Sequence, residues 1–282
     1  MREDAPAKIN LCLFVGPVRE DGRHELVSVM ESISLCDTLH LEPLPEGDDE
    51  VVCEGVEDTL VTGAIRAFRE TTGWDGGPVR ITIEKRIPVA AGLGGGSADA
   101  AAALRLLARA SGHDDHDALH AIATTLGSDV PGQVRPGRVL ATGAGETIER
   151  LDPPRPYGVL VLPSRERLST PAVYAEADRL SPPTPRSAEQ LAAALAAVRA
   201  TTDPPPVNDL EEAARSLAPS IDAALEAARA AGAKAAMVAG SGPTVLGFFD
   251  DPEGAERAAE EIRGGAGGRA DAIAARPVVT CG

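Results

Sequence analysis

Four glycines crowd into five residues of the segment Pro88-Val89-Ala90-Ala91-Gly92-Leu93-Gly94-Gly95-Gly96-Ser97-Ala98-Asp99. Glycine lets successive backbone N–H groups approach an anion with no Cβ in the way, and a helix that follows adds the positive end of its dipole. The chemistry this suits is phosphate binding. A plain strand-to-helix turn is the competing reading, but such turns seldom need so many glycines. No glycine in the chain is followed by lysine, so the pattern G-x-x-x-x-G-K-[ST] is absent. Gly92-x-Gly94 meets Ser97 where the dinucleotide fingerprint needs glycine, and Gly265-x-Gly267-x-x-Ala270 neither follows a clear strand nor opens a helix. The protein-kinase motif set is missing as well.

Charged groups that could work beside a phosphate are few. Of 27 basic residues only Lys8, Lys85 and Lys234 are lysine, which marks them, chance retention aside, as places that need a compact ammonium. Lys8 stands in the strand-like AKINLCLFV run, with Asn10 two residues on and so on the same strand face. Lys85 borders the glycine segment, where it either touches nucleotide or caps a solvated strand end. Asp129, after Ser128, reads equally as a carboxylate base for a hydroxyl or as a helix cap. His113-Asp114-Asp115-His116-Asp117-Ala118-Leu119-His120 invites a metal reading, but an acidic start to a solvated helix accounts for it more simply.

These groups must be positioned by regular elements. Strand-like runs about the turn Glu20-Asp21-Gly22 predict strands over 7–15 and 24–35, period-2 patterning predicts one over 79–83, and helices over 58–72 and from about 97 to 110 flank the last of them. Asp152-Pro153-Pro154-Arg155-Pro156 continues neither helix nor central strand, which places a domain boundary there, between domains at 1–152 and 157–282. The second half predicts a strand at 158–162 and helices at 187–200, 209–217, 220–231 and 252–263. Two strands flank Gly240-Ser241-Gly242, a last one covers about 270–279, and loops cover 181–185, 203–206 and 264–268. Strands and helices do not alternate strictly, so the expected class is α+β.

The 282-residue chain carries 27 − 43 = −16 formal charges, which disfavours nucleic acid and anionic membrane surfaces as partners. Aromatic residues make up 2%, so aliphatic side chains must build the core. Cys12, Cys36, Cys53 and Cys281 are spaced for neither a zinc clip nor a disulfide framework. With no apolar run of membrane length and no basic-then-apolar leader in MREDAPAK, the expected location is the cytoplasm.

The segment Pro88 to Ala98 resembles the phosphate loop of the small-molecule kinases related to galactokinase, homoserine kinase and mevalonate kinase, the GHMP superfamily. Five further stretches resemble that group in order: Ala5–Leu11, Asp21–Leu26, Leu126–Pro131 with Gly143–Glu146, Asn208–Glu211 and Ala239–Thr244. The motif Asp21-Gly22-Arg23-His24-Glu25-Leu26 is similar to that of the branch acting on a diphosphocytidyl alcohol.

The resemblance implies a two-domain GHMP-type fold, with an α/β sandwich as the C-terminal domain. It implies ATP, with Mg²⁺ on its phosphates, and contacts to ATP from Lys85 and residues 88–98, with Ser97 on phosphate or metal, or simply an N-cap. Protein ligands for the metal are not identified. Asp129 is implied as base and Lys8 as its partner; His24 and Tyr174 are implied on the substrate, His24 at the cytosine edge and Tyr174 stacking, while Asn10, on the Lys8 face of its strand, is the candidate contact to the substrate hydroxyl. Arg23 stands where the family has tyrosine; its guanidinium can stack on a base, or it signals another substrate. Thr59 stands where many relatives carry asparagine near adenine. A small-molecule kinase, monomer or homodimer, is the leading expectation, ahead of a sister kinase for another alcohol and a non-catalytic ligand sensor.

Overall fold

A computed structural model describes residues 1–55, 60–113, 115–180, 185–265 and 271–278. The elements begin β1 Arg2–Val18, β2 His24–Pro43, β3 Glu50–Cys53, α1 Leu60–Thr72, β4 Val79–Glu84, α2 Gly95–Ser111, α3 His116–Leu126, α4 Val130–Gln133, β5 Arg138–Gly143 and β6 Thr147–Arg150. They continue β7 Gly158–Leu162, α5 Thr170–Leu180, α6 Ala188–Arg199, β8 Val207–Asn208, α7 Glu211–Leu217, α8 Ser220–Ala230, β9 Ala235–Val238, β10 Val245–Phe249, α9 Pro252–Gly264 and β11 Ile273–Ala275. Among the described residues no helix is long and apolar enough to cross a membrane.

The chain divides into two compact units, and neither is one stretch of sequence. The first takes Met1–Lys8, Leu35–Pro88 and Gly94–Pro136; the second takes Ile9–Ser34, Val89–Leu93 and Gly137–Gly282. The strands β1 and β2, 17 and 20 residues long, each contribute residues to both units. The proline-rich stretch 152–156 lies inside the second unit.

In the first unit β4 runs parallel to β3 and antiparallel to Thr38–Pro43 of β2. Its alternation is realised: Val79, Ile81 and Ile83 are buried, while Arg80, Thr82 and Glu84 are not. Phe68 of α1, Leu104 and Leu107 of α2 and Ile122 of α3 pack on Leu39 and Ile81 in an aliphatic core. Each such side chain contributes roughly 1.5–3 kcal/mol on burial. Helix α2 is buried along most of its length, and Ala98 and Ala100–Ala103 let neighbours approach while favouring the helix. It starts after Gly94, at φ 65°, and stops at Gly112, at φ 74°, both in the left-handed region that glycine adopts without Cβ strain.

In the second unit Leu26–Glu31 of β2 pair antiparallel with β5, and β5 pairs with β6. Cys12 and Leu13 of β1 pair parallel with β8. A separate antiparallel sheet has the order β11-β7-β10-β9. Leu160 and Leu162 of β7 pack with Leu225 of α8 and Ala255 and Ala259 of α9. Glu31 and Arg138, cross-strand neighbours on β2 and β5, form a buried pair at 2.5 Å. Burial pushes the Glu31 carboxyl up to about 7 against the pull of Arg138.

The predicted helices occur at their expected places; α6 carries a capping box in which Ser187 and Gln190 satisfy each other's backbone N–H groups. Residues 58–59, 181–184, 266–270 and 279–282, which include the predicted start of α1, parts of two loops, the ends of the last strand and Cys281, lie outside the described residues. Helix α5 was not among the expected elements. Its signal is Ser169-Thr170-Pro171: the Ser169 hydroxyl accepts the N–H of Ala172, and proline suits a first turn.

Candidate active site

The glycine segment delivers the chain into α2 with its donors unspent. Ala98 N–H bonds to Gly94 O at 2.9 Å, so the N–H groups of Gly95, Gly96 and Ser97 are the orphan donors of the first turn. Such a set of donors, at the head of a 17-residue helix, has the chemistry to receive an anion. Ser97 is half-buried within the first turn and is not the N-cap, a position held by Gly94. Of the other segment residues, Ala91, Leu93 and Ala98 are buried, Val89 is exposed, and Ala90 adopts a left-handed φ of 57°. Within the second unit, a Cβ on Gly92 would strike the carbonyl oxygen of Ala239, so the segment packs directly on the stretch before Gly240-Ser241-Gly242.

Lys8 and Asp129 meet in the first unit, with Lys8 Nζ 3.2 Å from Asp129 Oδ2. The Lys8 stem crosses the face of Gly94, where a Cβ would come within 2.8 Å of its Cγ. Lys8 is buried, whereas the Asp129 side chain is 36% exposed. Asp129 directly precedes α4, yet its side chain makes no capping hydrogen bond. The carboxylate is thus held beside an ammonium, open to solvent and free of a capping duty.

Lys85 is placed differently. Its Nζ lies 2.5 Å from Asp37 Oδ2 and 2.7 Å from Asp99 Oδ2, inside the first unit. Asp37 Oδ1 accepts the backbone N–H groups of Arg86 and Ile87. Burial works against the Lys85 ammonium, but the two carboxylates outweigh it and hold its pKa above the ordinary lysine value. One cation between two anions leaves a negative charge in excess, and burial pushes the Asp99 carboxyl up to about 7 against Lys85.

The residues expected on the substrate lie in the second unit. His24 Nδ1 donates to Gly16 O at 2.9 Å, since a carbonyl only accepts, and Nε2 lies 3.4 Å from Asp178 Oδ2. The His24 and Tyr174 rings are 5.1 Å apart between centroids and tilted by 35°. Asn10 Nδ2 donates to Ser28 Oγ at 2.7 Å. Arg23 is tied to its own turn: its Nε and Nη2 groups donate to Asp21 Oδ2 at 3.1 and 2.9 Å. Asp115 caps α3 by accepting from Asp117 N–H and Ala118 N–H, which gives the acidic stretch there a structural role; Asp114 and Thr59 lie outside the described residues.

Sequence reasoning missed Asp37, Asp99 and Asp178. Asp178 follows Tyr174 by four residues on α5, so recognising that helix would have placed the two on one face. A lone Asp37 among apolar strand residues was the signal for a buried partner.

A 4-diphosphocytidyl-2-C-methyl-D-erythritol kinase from Salinispora tropica is 41% identical over 284 residues, covering 93% of this chain and 87% of its own. The chain belongs to the 4-diphosphocytidyl-2-C-methyl-D-erythritol kinase family. A member of that family from Anaeromyxobacter dehalogenans is 40% identical over 278 residues, covering 95% of this chain and 87% of its own. A crystal structure of 4-(cytidine 5'-diphospho)-2C-methyl-D-erythritol kinase matches with a TM-score of 0.79 at 35% identity, over 99% of this chain and 100% of that one. Family models described as GHMP kinases N terminal domain and GHMP kinases C terminal match residues 59–137 and 186–266. The α+β, two-part GHMP architecture of the 4-diphosphocytidyl-2-C-methyl-D-erythritol kinase family is therefore the architecture of this chain.

Proposed function

We propose that the protein transfers the γ-phosphoryl group of ATP to the 2-hydroxyl of 4-diphosphocytidyl-2-C-methyl-D-erythritol, a step in isoprenoid precursor synthesis. The observation that carries this reading is the Lys8–Asp129 pair, packed against the glycine that opens α2, in a chain 41% identical to a kinase of that name.

Phosphoryl transfer asks little covalent chemistry of a protein. The N–H groups at the head of α2 receive the triphosphate, to which magnesium comes bound, and a Cβ-free Gly94 suits that role. Asp129 takes the hydroxyl proton while the substrate oxygen bonds to the γ-phosphorus and the bond to ADP breaks. Lys8, 3.2 Å from Asp129, offsets the charge that develops on the oxygens. His24 and Tyr174 receive the cytosine ring, and Asn10 the alcohol side of the substrate. The family matches on either side of 152–156 support residues 1–152 and 157–282 as the two domains. The reading takes the protein to be cytoplasmic, a monomer or homodimer, acting on a small molecule.

A substrate panel with ATP tests it. The diphosphocytidyl alcohol is expected to be phosphorylated well above mevalonate, homoserine and galactose. A single observation favours a second reading, a sister kinase: Arg23 is held by Asp21 where the family has tyrosine. Equal turnover of the alcohol with and without its cytidine moiety decides for that reading.

A further inference from the structure

We propose that Lys85 is a positioning residue and not a phosphate ligand: held between Asp37 and Asp99, its ammonium fixes the first turn of α2 and is the counter-charge to two buried carboxylates beside the helix end that receives triphosphate. The inference rests on the reading of that helix end as the ATP site.

Three pieces of the first unit converge on this one ammonium. Asp37 belongs to β2 and is fully buried; Lys85 to Ile87 lie between β4 and the glycine segment; Asp99 is in the first turns of α2 and is 4% exposed. A Cβ on Gly95, the first residue of α2, would sit 3.4 Å from Lys85 Nζ, so the cation is directly beside the helix head. Asp37 also clamps the chain entering the segment through the N–H groups of Arg86 and Ile87, at 2.5 and 2.8 Å.

The bonding forbids a second employment for Lys85. Pulling the ammonium toward a phosphate would strand two buried carboxylates, and an uncompensated buried charge is strongly destabilising. Asp99 is already short of donors: its Oδ1 is buried with no hydrogen-bond partner among the described residues. Without the cation, Asp37 and Asp99 would lose their shared counter-charge and the first turn of α2 its tie to β2. The trio therefore serves ATP binding through charge balance and through the pose of α2.

A double-mutant cycle decides between strut and ligand. Lys85→Met removes the ammonium and is expected to weaken Mg-ATP binding in calorimetry by about tenfold or more, with a smaller change in turnover number at saturating ATP. Asp99→Asn, which keeps shape and an acceptor oxygen for Lys85, is expected to hold ATP affinity within about threefold. In Lys85→Met/Asp99→Asn the net charge of the cluster is again that of wild type, and affinity is expected to return to within about fivefold of wild type. A double variant no better than Lys85→Met overturns the proposal and makes the ammonium a direct phosphate contact. Should Lys85→Met be too unstable to titrate, the double variant decides alone, and a loss of about tenfold or more overturns the strut. Melting temperatures without nucleotide add an arm that does not depend on ATP: the strut requires the double variant to melt above Lys85→Met. A wild-type chain that binds no ATP sinks the proposed function, whereas a reversed melting order sinks the strut.

Discussion

Lys8 faces Asp129 at 3.2 Å, and Lys85 faces Asp37 and Asp99 at 2.5 and 2.7 Å, within the same unit of the molecule. The residue types are the same, but the carboxylates differ in access. Asp129 is 36% exposed and its side chain caps nothing; Asp37 and Asp99 are almost wholly buried. A carboxylate that must take a proton from a substrate has to be reachable and only partly paired. One that must hold a helix in place is served by short, enclosed contacts, which quench its reactivity. Adjacent glycines give each lysine its room: Gly94 lies against the Lys8 stem and Gly95 against Lys85 Nζ.

The sharpest way to break this comparison is to remove charge from each kind of carboxylate. Asp129→Asn keeps volume and is expected to lower turnover by a factor of roughly 10²–10⁴ with ATP affinity little changed, in steady-state assays and calorimetry. Asp99→Asn is expected to cost far less. Comparable losses in the two variants would erase the distinction between open and enclosed carboxylates.

The glycines come next. Gly94→Ala forces a side chain into a φ of 65° and against Lys8 Cγ at 2.8 Å, and is expected to lower turnover by about tenfold or more. Gly95→Ala meets Ile87 Cγ2 at 3.1 Å and Lys85 Nζ at 3.4 Å, without backbone strain, and is expected to cost about threefold. A reversed order would mean that the segment is organised around Lys85 and not Lys8.

A smaller effect tests the exposed end of the scale. Arg23 is 54% exposed and paired with Asp21. Arg23→Ala is expected to raise the KM for the diphosphocytidyl substrate by up to about tenfold, the reach of one stacking contact, with turnover changed less. Unchanged kinetic constants would reduce Arg23 to a turn residue.

A test read in stability and not in rate extends the rule of enclosed pairing to the second unit. The folded Glu31 pKa of about 7 lies above its ordinary 4.5, so the folded chain keeps a proton that the unfolded chain has released. Its stabilising contribution is complete below about pH 4.5 and is lost as pH rises through about 7. The difference amounts to at most about 3 kcal/mol. Melting curves from about pH 5 to 8 are expected to fall more steeply for wild type than for Glu31→Gln. Parallel curves would show that Arg138 keeps Glu31 ionised throughout.

Much of the fold was legible because its signals are local. The alternation of Val79, Ile81 and Ile83, the alanines of α2 and the glycines at either end of it each act within a few residues. Helix α5 was lost among charged residues and a proline, although its Ser169 cap was there to be read. In the site, Lys8 and the glycine segment stood out by residue type and Asp129 through the family resemblance of its segment, and Lys8 and Asp129 do meet. Asp37 and Asp178 did not stand out, because each matters only through a partner distant in the chain.

The sequence by itself determined the chemistry available to this protein: a glycine segment feeding a helix, three lysines in an arginine-rich chain, a carboxylate at Asp129, and membership of a kinase family. Tertiary structure alone decided which carboxylate each lysine meets. Lys85 pairs with Asp37 across 48 residues and with Asp99 across 14, separations at which neither propensity nor periodicity carries information. It decided as well that each unit draws on three separate stretches of the chain, with β1 and β2 long enough to contribute residues to both. The physical reason is common to both: backbone preference is set by near neighbours, whereas the pairing of buried charges is set by what packing brings within a few ångströms and shields from water.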